Sequence, residues 1–280
     1  MSEITSSAPA AKSPAQSRRQ KVLIGQVAVF VLWMATWQIL SYFEVIDPFI
    51  SASPSSVVVR LVDWLINGTA LGSFWYQVLV TLWEAAVGFV LGVVGGVFFG
   101  ILLGQIDYLA DVFNPYIKFF NAVPRIVLGS IFVMWLGLGL PAKALLAAVL
   151  VFFVVFFNAF QGARSVDPNL VNNIRILGGS RLDVVRNVVL PSALTWIIAS
   201  LHVALGLAIV GAIVGEILGA QHGLGLLIKF SQNNFDSPGV YGCMFVIGAI
   251  VLSVEAIMAR VEKRLLAWQK PKSSNAAQDA

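Results

Sequence analysis

The sequence predicts an all-α membrane protein: a polytopic bundle of about six transmembrane helices. Two observations lead there. Of 280 residues, 58% are hydrophobic and 11% charged, an apolar share above and a charged share below those of soluble domains. The apolar residues also gather in six runs, roughly 22–43, 85–104, 126–142, 144–160, 192–215 and 237–254, none containing Lys or Arg. Each approaches the length of about 17 to 25 residues that carries a helix across a bilayer.

Residues 1–20, rich in Ser, Ala and Pro, read as a disordered cytoplasmic tail. Arg18-Arg19 before an apolar run resembles an export signal, but that run is too long for a signal-peptide core and five more follow. The first span is therefore retained. After Ser53-Pro54, the residues Val58, Leu61, Val62 and Leu65 recur at helical spacing until Asn67-Gly68, predicting a short amphipathic helix on the outer surface. It either packs over the bundle rim or meets an external partner. Asn67-Gly68-Thr69 reads as a turn.

In the second run Gly88, Gly92, Gly96, Gly100 and Gly104 repeat every fourth residue. Such a row gives a helix one face without side chains, where a neighbouring helix can approach closely. The third and fourth runs are short, and also admit a single re-entrant hairpin. Asn158 and Gln161, at the inner end of the fourth, read as interfacial anchors.

The segment "NNIRILGGSRLDVVRNVVLP", residues 172–191, is the polar exception. Asp167 and Pro168 supply an N-cap and first-turn proline, and Leu170, Val171, Ile174 and Leu177 share one face. Gly178-Gly179 stops that helix. Ser180 and Asp183 form a capping box that starts a second helix striped by Leu182, Val185 and Val189 before Pro191. Each is expected to be about 10 residues, too short to cross the membrane. Arg175, Arg181 and Arg186 then face water, lipid headgroups or a protein.

The fifth run contains His202 and reaches Glu216 at its outer end, two ionisable residues that are candidates for a translocation path. Each has a simpler role open to it: His202 as a packing histidine bonded to a carbonyl, Glu216 as a cap for the Gly-rich "GAQHGLG". The sequence holds no metal-ligating cluster and no nucleophile motif, so no catalytic residue or metal site is expected. It lacks a Gly-x-x-x-x-Gly-Lys-Ser/Thr phosphate loop, so ATP chemistry is expected in a partner. The single cysteine, Cys243, excludes an intrachain disulfide.

With the N-terminus inside, only Arg60, Lys143 and Lys229 of the 18 lysines and arginines fall outside. The rest lie on the cytoplasmic side, which places both termini in the cytoplasm. The net charge of +4 thereby reads as topology, and no nucleic-acid partner is implied.

On these residues the chain resembles the inner-membrane permease subunits of bacterial ATP-binding-cassette importers, most nearly the nitrate, sulfonate, taurine and bicarbonate branch. That family carries a cytoplasmic loop patterned Glu-Ala-Ala, a glycine four residues later, an aliphatic residue and Leu-Pro. Here Asn172-Asn173-Ile174 stand on the triplet, Gly178 on the glycine, Val188 on the aliphatic position and Leu190-Pro191 at the end. The spacing is kept; the triplet is not. The likeness runs from about 53 to 268 and includes "NAVPRIVLGSIFVMWLGLGLPAK", "GARSVDPNL" and "GAIVGEILGAQHGLGLLI".

The resemblance implies a permease domain at 21–268 with its coupling loop at about 163–191, followed by a cytoplasmic tail at 269–280. It further implies that Asn172, Asn173, Ile174, Gly178, Gly179, Ser180, Arg181, Val188, Leu190 and Pro191 meet a cytosolic ATPase, with no cofactor bound by this chain. An extracytoplasmic binding protein, a second permease copy in a homodimer, membrane lipid and a location in the bacterial inner membrane complete the expectation. The competing reading is a secondary transporter driven by an ion gradient, which would carry inverted repeats and transport without an ATPase.

The charge asymmetry makes a topology prediction. In a Cys243→Ser background, Ser55→Cys should react with an impermeant thiol reagent from outside intact cells, and Ser180→Cys only after permeabilisation. Labelling of both from one side would overturn the arrangement.

Overall fold

The structure, a computed structural model, describes residues 14–45, 47 and 51–265. Expectations for 1–13 and for the tail at 269–280 lie outside these. Ten helices are used below: α1 (Pro14–Tyr42), α2 (Pro54–Asn67), α3 (Phe74–Gln105), α4 (Asp107–Ala122), α5 (Arg125–Leu136), α6 (Leu140–Arg164), α7 (Pro168–Ile176), α8 (Arg181–Leu218), α9 (Leu224–Asn233) and α10 (Ser237–Leu265). Five of them, α1, α3, α6, α8 and α10, are long and apolar enough to span a membrane, and the bent pair α4–α5 brings the number to six. Residues 14–20, expected in an irregular tail, continue α1 as helix; a proline at the helix start followed by Ala, Gln and Arg suits that state.

The largest departure from expectation concerns the third span. The run at 126–142 does not form one helix: α5 ends at Leu136, and Gly137 takes φ +77. Its 12 residues rise only about 18 Å, short of a crossing. The preceding α4, unforeseen from the sequence, meets α5 at 89°. Val123-Pro124 explains the break, because a residue before proline is driven out of the helical region and Val123 is extended at ψ 130.

The fourth expected span begins earlier than 144, at Leu140, with Gly139 as N-cap and Pro141 in the first turn. Lys143, expected in an outer loop, is therefore inside α6. It is only 3% exposed.

At the centre, α6 lies between α3 and α8. The α3 glycines face it without intervening side chains. A Cβ on Gly92 would stand 2.6 Å from the Ala148 carbonyl oxygen, one on Gly96 2.9 Å from that of Phe152, and one on Gly100 2.7 Å from that of Phe156. Gly104 meets Ala163, and Gly88 meets Ala147 and the Ala144 carbonyl. From the other side Gly211 of α8 abuts the Ala147 backbone and Gly162 of α6 abuts Ala193. Ala85, Val151, Val155, Ala204, Ala208 and Ala212 fill the core around this seam.

α2 has its predicted ends, with Ser53 and Ser56 in a capping box and Gly68 closing the helix at φ +82. The buried face differs from the expected stripe. Val57 and Trp64 turn inward, and Trp64 stacks on Phe74 at 5.9 Å, while Val58, Val62 and Leu65 are exposed. The helix is apolar on both faces, and the bulk of Trp64 selects the inner one. α1 stands outside the bundle with every side chain from Lys21 to Trp33 exposed. Trp37 meets α10, tilted against Tyr241 at 5.5 Å and stacked on Phe245 at 6.1 Å.

Leucine at Gly92 or Gly96 should lower the yield of folded protein, since overpacking costs about 1 to 3 kcal/mol or more where backbone must move. Leucine at the outward Val94, 64% exposed, should leave monodisperse protein in size-exclusion chromatography. Equal yields from all three would contradict the packing.

Candidate functional site

Two constellations occupy opposite ends of the central helices. At one end, α6 stops at Arg164 and Ser165 Oγ donates to the Gly162 carbonyl at 2.9 Å. Asp167 then caps α7, its Oδ1 accepting from Asn169 N–H at 2.8 Å. After nine residues α7 closes as a Schellman motif. Gly179 N–H donates to the Ile174 carbonyl at 2.9 Å and Gly178 N–H to that of Arg175 at 3.0 Å.

The two glycines have separate reasons. Gly178 sits at φ +82 with open space around it, so its requirement is conformational. Gly179 has no room, because a Cβ would collide with Ile174 Cγ2 and stand 2.9 Å from the Ile174 carbonyl oxygen. Ser180 and Asp183 form the expected capping box, with Ser180 N–H donating to Asp183 Oδ2 at 2.8 Å.

The second helix does not stop before Pro191, as its length from sequence required. It runs without interruption through Leu218, spanning 38 residues. The transition is a π-helical turn at Val185–Val189, closed by Leu190 N–H donating to the Val185 carbonyl. Proline has no N–H for the ordinary i→i−4 bond and its ring crowds that carbonyl; the wider π turn relieves both. Thus the loop is joined directly to a membrane span.

The inner side of this loop packs on the bundle: Val184 and Val189 contact Ala163, with Ile101, Val171 and Ile174 around them. Val188 is buried, while Asn172, Asn173, Arg181, Leu190 and Pro191 are exposed. Leu177 and Leu182, expected in the inward stripes, point the other way. With Ile176 they are 85%, 75% and 82% exposed, three large apolar side chains around the glycine turn.

At the far end Gln77, Thr81 and Glu84 lie on one face of α3 and reach into a buried polar cluster. Gly223, Leu224 and Gly225, at the start of α9, donate their N–H groups to Gln77 Oε1 at 2.7 Å, Thr81 Oγ1 at 2.9 Å and Glu216 Oε2 at 2.6 Å. These are N–H groups that a helix start leaves without partners. Thr81 Oγ1 also donates to Glu216 Oε1 at 2.7 Å. Glu216 is 0% exposed, and its carboxylate makes the capping contact that was one of the two roles open to it. Gly223 and Gly225 are packed against its side chain, leaving no space for a Cβ.

Beside it, Lys143 Nζ pairs with Glu84 Oε1 at 3.3 Å and donates to the Leu138 carbonyl at 2.5 Å. Glu84 Oε2 has no hydrogen-bond partner among the described residues. A cavity of about 410 Å³ adjoins the pair, walled by Tyr76, Trp83 and His222. His202 is elsewhere, with Nε2 2.9 Å from Glu262 Oε2 of α10. Asn158 donates to the Val154 carbonyl one turn back in its own helix.

Sequence reasoning missed Gln77, Thr81, Glu84 and Lys143. The spacing of the first three offered a signal, since positions 77, 81 and 84 share a helical face just ahead of the apolar run at 85–104. The other two cations assigned to the outside are also engaged at this end. Arg60 binds Asp236 through Nε and a terminal nitrogen at 3.1 and 3.0 Å, and Lys229 Nζ donates to the Ile217 carbonyl at 2.9 Å.

Residues 92–267 match the family model described as "Binding-protein-dependent transport system inner membrane component". An aliphatic sulfonates transport permease protein of Bacillus subtilis is 28% identical over 236 residues, 84% of each chain. A formylaminopyrimidine transport permease protein of Halalkalibacterium halodurans is 27% identical over 241 residues, 86% of this chain and 94% of that one. Among solved structures, a chain from inward-facing forms of the MetNI methionine ABC transporter superposes with a TM-score of 0.60 at 19% identity, over 67% of this chain and 95% of that one.

Lys143→Met should destabilise the purified protein by about 3 to 5 kcal/mol, because it leaves the buried Glu84 carboxylate without its cation. Combining it with Glu84→Gln should return part of that loss. A thermal-shift series in detergent reads the cycle, and additive losses would contradict coupling of the pair.

Proposed function

Since the chain belongs to the binding-protein-dependent transport system inner membrane component family and is a permease subunit of an ATP-binding-cassette transporter, we propose that residues 165–191 are the surface through which a cytosolic ATPase drives it. The observation that carries this reading is the exposed apolar tip formed by Ile176, Leu177 and Leu182. An apolar cluster held toward water by a rigid turn is an interaction surface by its cost alone. Arg175, Arg181 and Arg186 are exposed on the same loop, and rim charges of this kind set orientation and encounter rate.

Transmission is supported by the join between loop and span. A displacement of the tip moves the start of α8, a rod about 57 Å long at the usual helical rise. The far end of that rod holds Glu216, which grips the start of α9. Motion imposed by ATP-driven closure at one end would thereby reach the Glu216 cluster and α9 at the other.

The same reading places the loop in the cytoplasm and the Glu216 cluster toward the side from which a separate binding protein delivers solute. Two permease copies, taken as identical, line the path, His202 among its candidate residues. The cargo is a small organic solute or anion of the nitrate, sulfonate, taurine or bicarbonate kind. Two relatives with different named cargoes, aliphatic sulfonates and formylaminopyrimidine, are similar to this chain at nearly equal identity, which supports selection by the binding protein rather than by this framework.

Leu177→Asp should reduce co-purification with the ATPase by roughly thirtyfold, as removal of an interface hot spot costs about 2 kcal/mol, and abolish solute-stimulated ATP hydrolysis. Gly178→Asp should act in the same direction by straining the turn. Permease carrying either change at parental levels, still binding the ATPase and still transporting, would refute the assignment.

A further inference from the structure

Alongside the loop, between α3 and the start of α8, lies a cavity of about 1080 Å³. Its wall on α3 is apolar, formed by Val94, Phe98 and Leu102 among others, and Arg175 and Arg181 stand at its polar end. Val94 and Phe98 are 64% and 61% exposed, on the side of α3 opposite the glycine row.

Neither guanidinium has a carboxylate or hydrogen-bond partner among the described residues. Asp107, on the same rim, is paired with Arg164 at 2.9 Å. Asp183 is engaged by Ser180. Two unpaired cations thus stand at the head of an apolar trough, at the level where α3 ends and α8 begins.

That arrangement selects a ligand with an anionic head and a hydrocarbon tail. A free phosphate would use the arginines and leave the trough empty; a neutral lipid would use the trough and leave the arginines unpaired. We propose that this groove is a binding site for one anionic phospholipid. Its phosphodiester lies between Arg175 and Arg181, and an acyl chain runs along Val94 and Phe98. Basic pockets between membrane helices bind lipid headgroups by this combination.

The position has a mechanical consequence. Arg175 is in the last turn of α7 and Arg181 in the first turn of α8, so one headgroup would bridge the Gly178-Gly179 turn and hold the angle between the helices. The inference rests on the loop end lying at a membrane surface and does not require that an ATPase dock there.

Native mass spectrometry of the full-length permease, purified without any ATPase and exposed to equimolar phosphatidylglycerol and phosphatidylcholine, tests it directly. Retention of one phosphatidylglycerol, not displaced by excess inorganic phosphate, is expected. Arg175→Gln with Arg181→Gln should weaken retention about thirtyfold, the ratio given by about 1 kcal/mol per basic residue. Val94→Trp, which fills the trough and leaves the charge alone, should also reduce it. Equal retention of both lipids, displacement by phosphate, or unchanged retention in both variants would overturn the site. If the double variant does not fold, the lipid competition and Val94→Trp decide. Because no ATPase is present, failure here is distinct from failure of the docking surface.

Discussion

The approach of α3 to α6 is the constraint on which the rest depends. In a bilayer, apolar side chains gain little by leaving lipid for protein, so helices associate where close packing exceeds what lipid offers. Glycine at every fourth position of α3, facing Ala144, Ala147, Ala148, Ala159 and Ala163 on α6, provides that. With Gly211 of α8 pressed on the other side of Ala147, α6 becomes a strut between two close neighbours.

Because the seam contains almost no side-chain volume, it fixes the ends of the helices as well as their middles. At one end it brings Ile101 and Ala163 together as the floor on which α7 and the start of α8 sit. At the other it brings Glu84 against Lys143 and places Thr81 beside Glu216. Both polar constellations are built on the same backbone contact. The buried ion pair is weak as a source of stability and strong as a specifier of register; a slip of α3 against α6 by one turn would bury Lys143 without a carboxylate.

Much of this was legible in the sequence where local chemistry decides structure. The Asp167 cap, the glycine turn at Gly178, the Ser180–Asp183 box and the four-residue glycine period are local patterns with one good structural solution each. Failures occurred where distant partners decide. Excluding Lys143 from a span was sound for an isolated charge, but Glu84 lies 59 positions earlier in the chain and neutralises it. Reading Pro191 as a stop was sound for an α-helix, but a π turn carried the chain past it. The bend at Val123-Pro124 had a readable cause, and was missed because the helix before it carries Asp107, Asp111 and Lys118 and so falls outside every apolar run.

The failures at Lys143 and Pro191 share a direction: each ended a helix or expelled a charge where the fold keeps continuity. Continuity is what the proposed mechanism requires. A coupling loop made of two separate surface helices would absorb a push by bending at the second glycine-free hinge, near Pro191. One continuous with α8 has only the Gly178-Gly179 turn at which to yield, and α7 on the other side of that turn is anchored through Val171 and Ile174. Force applied at Leu177 therefore has one rigid outlet, the rod ending at Glu216. There three side chains from two different helices hold the first N–H groups of α9. Shifting α8 relative to α3 must break that shared cap or carry α9 along, which ties the far-end elements to the position of the loop.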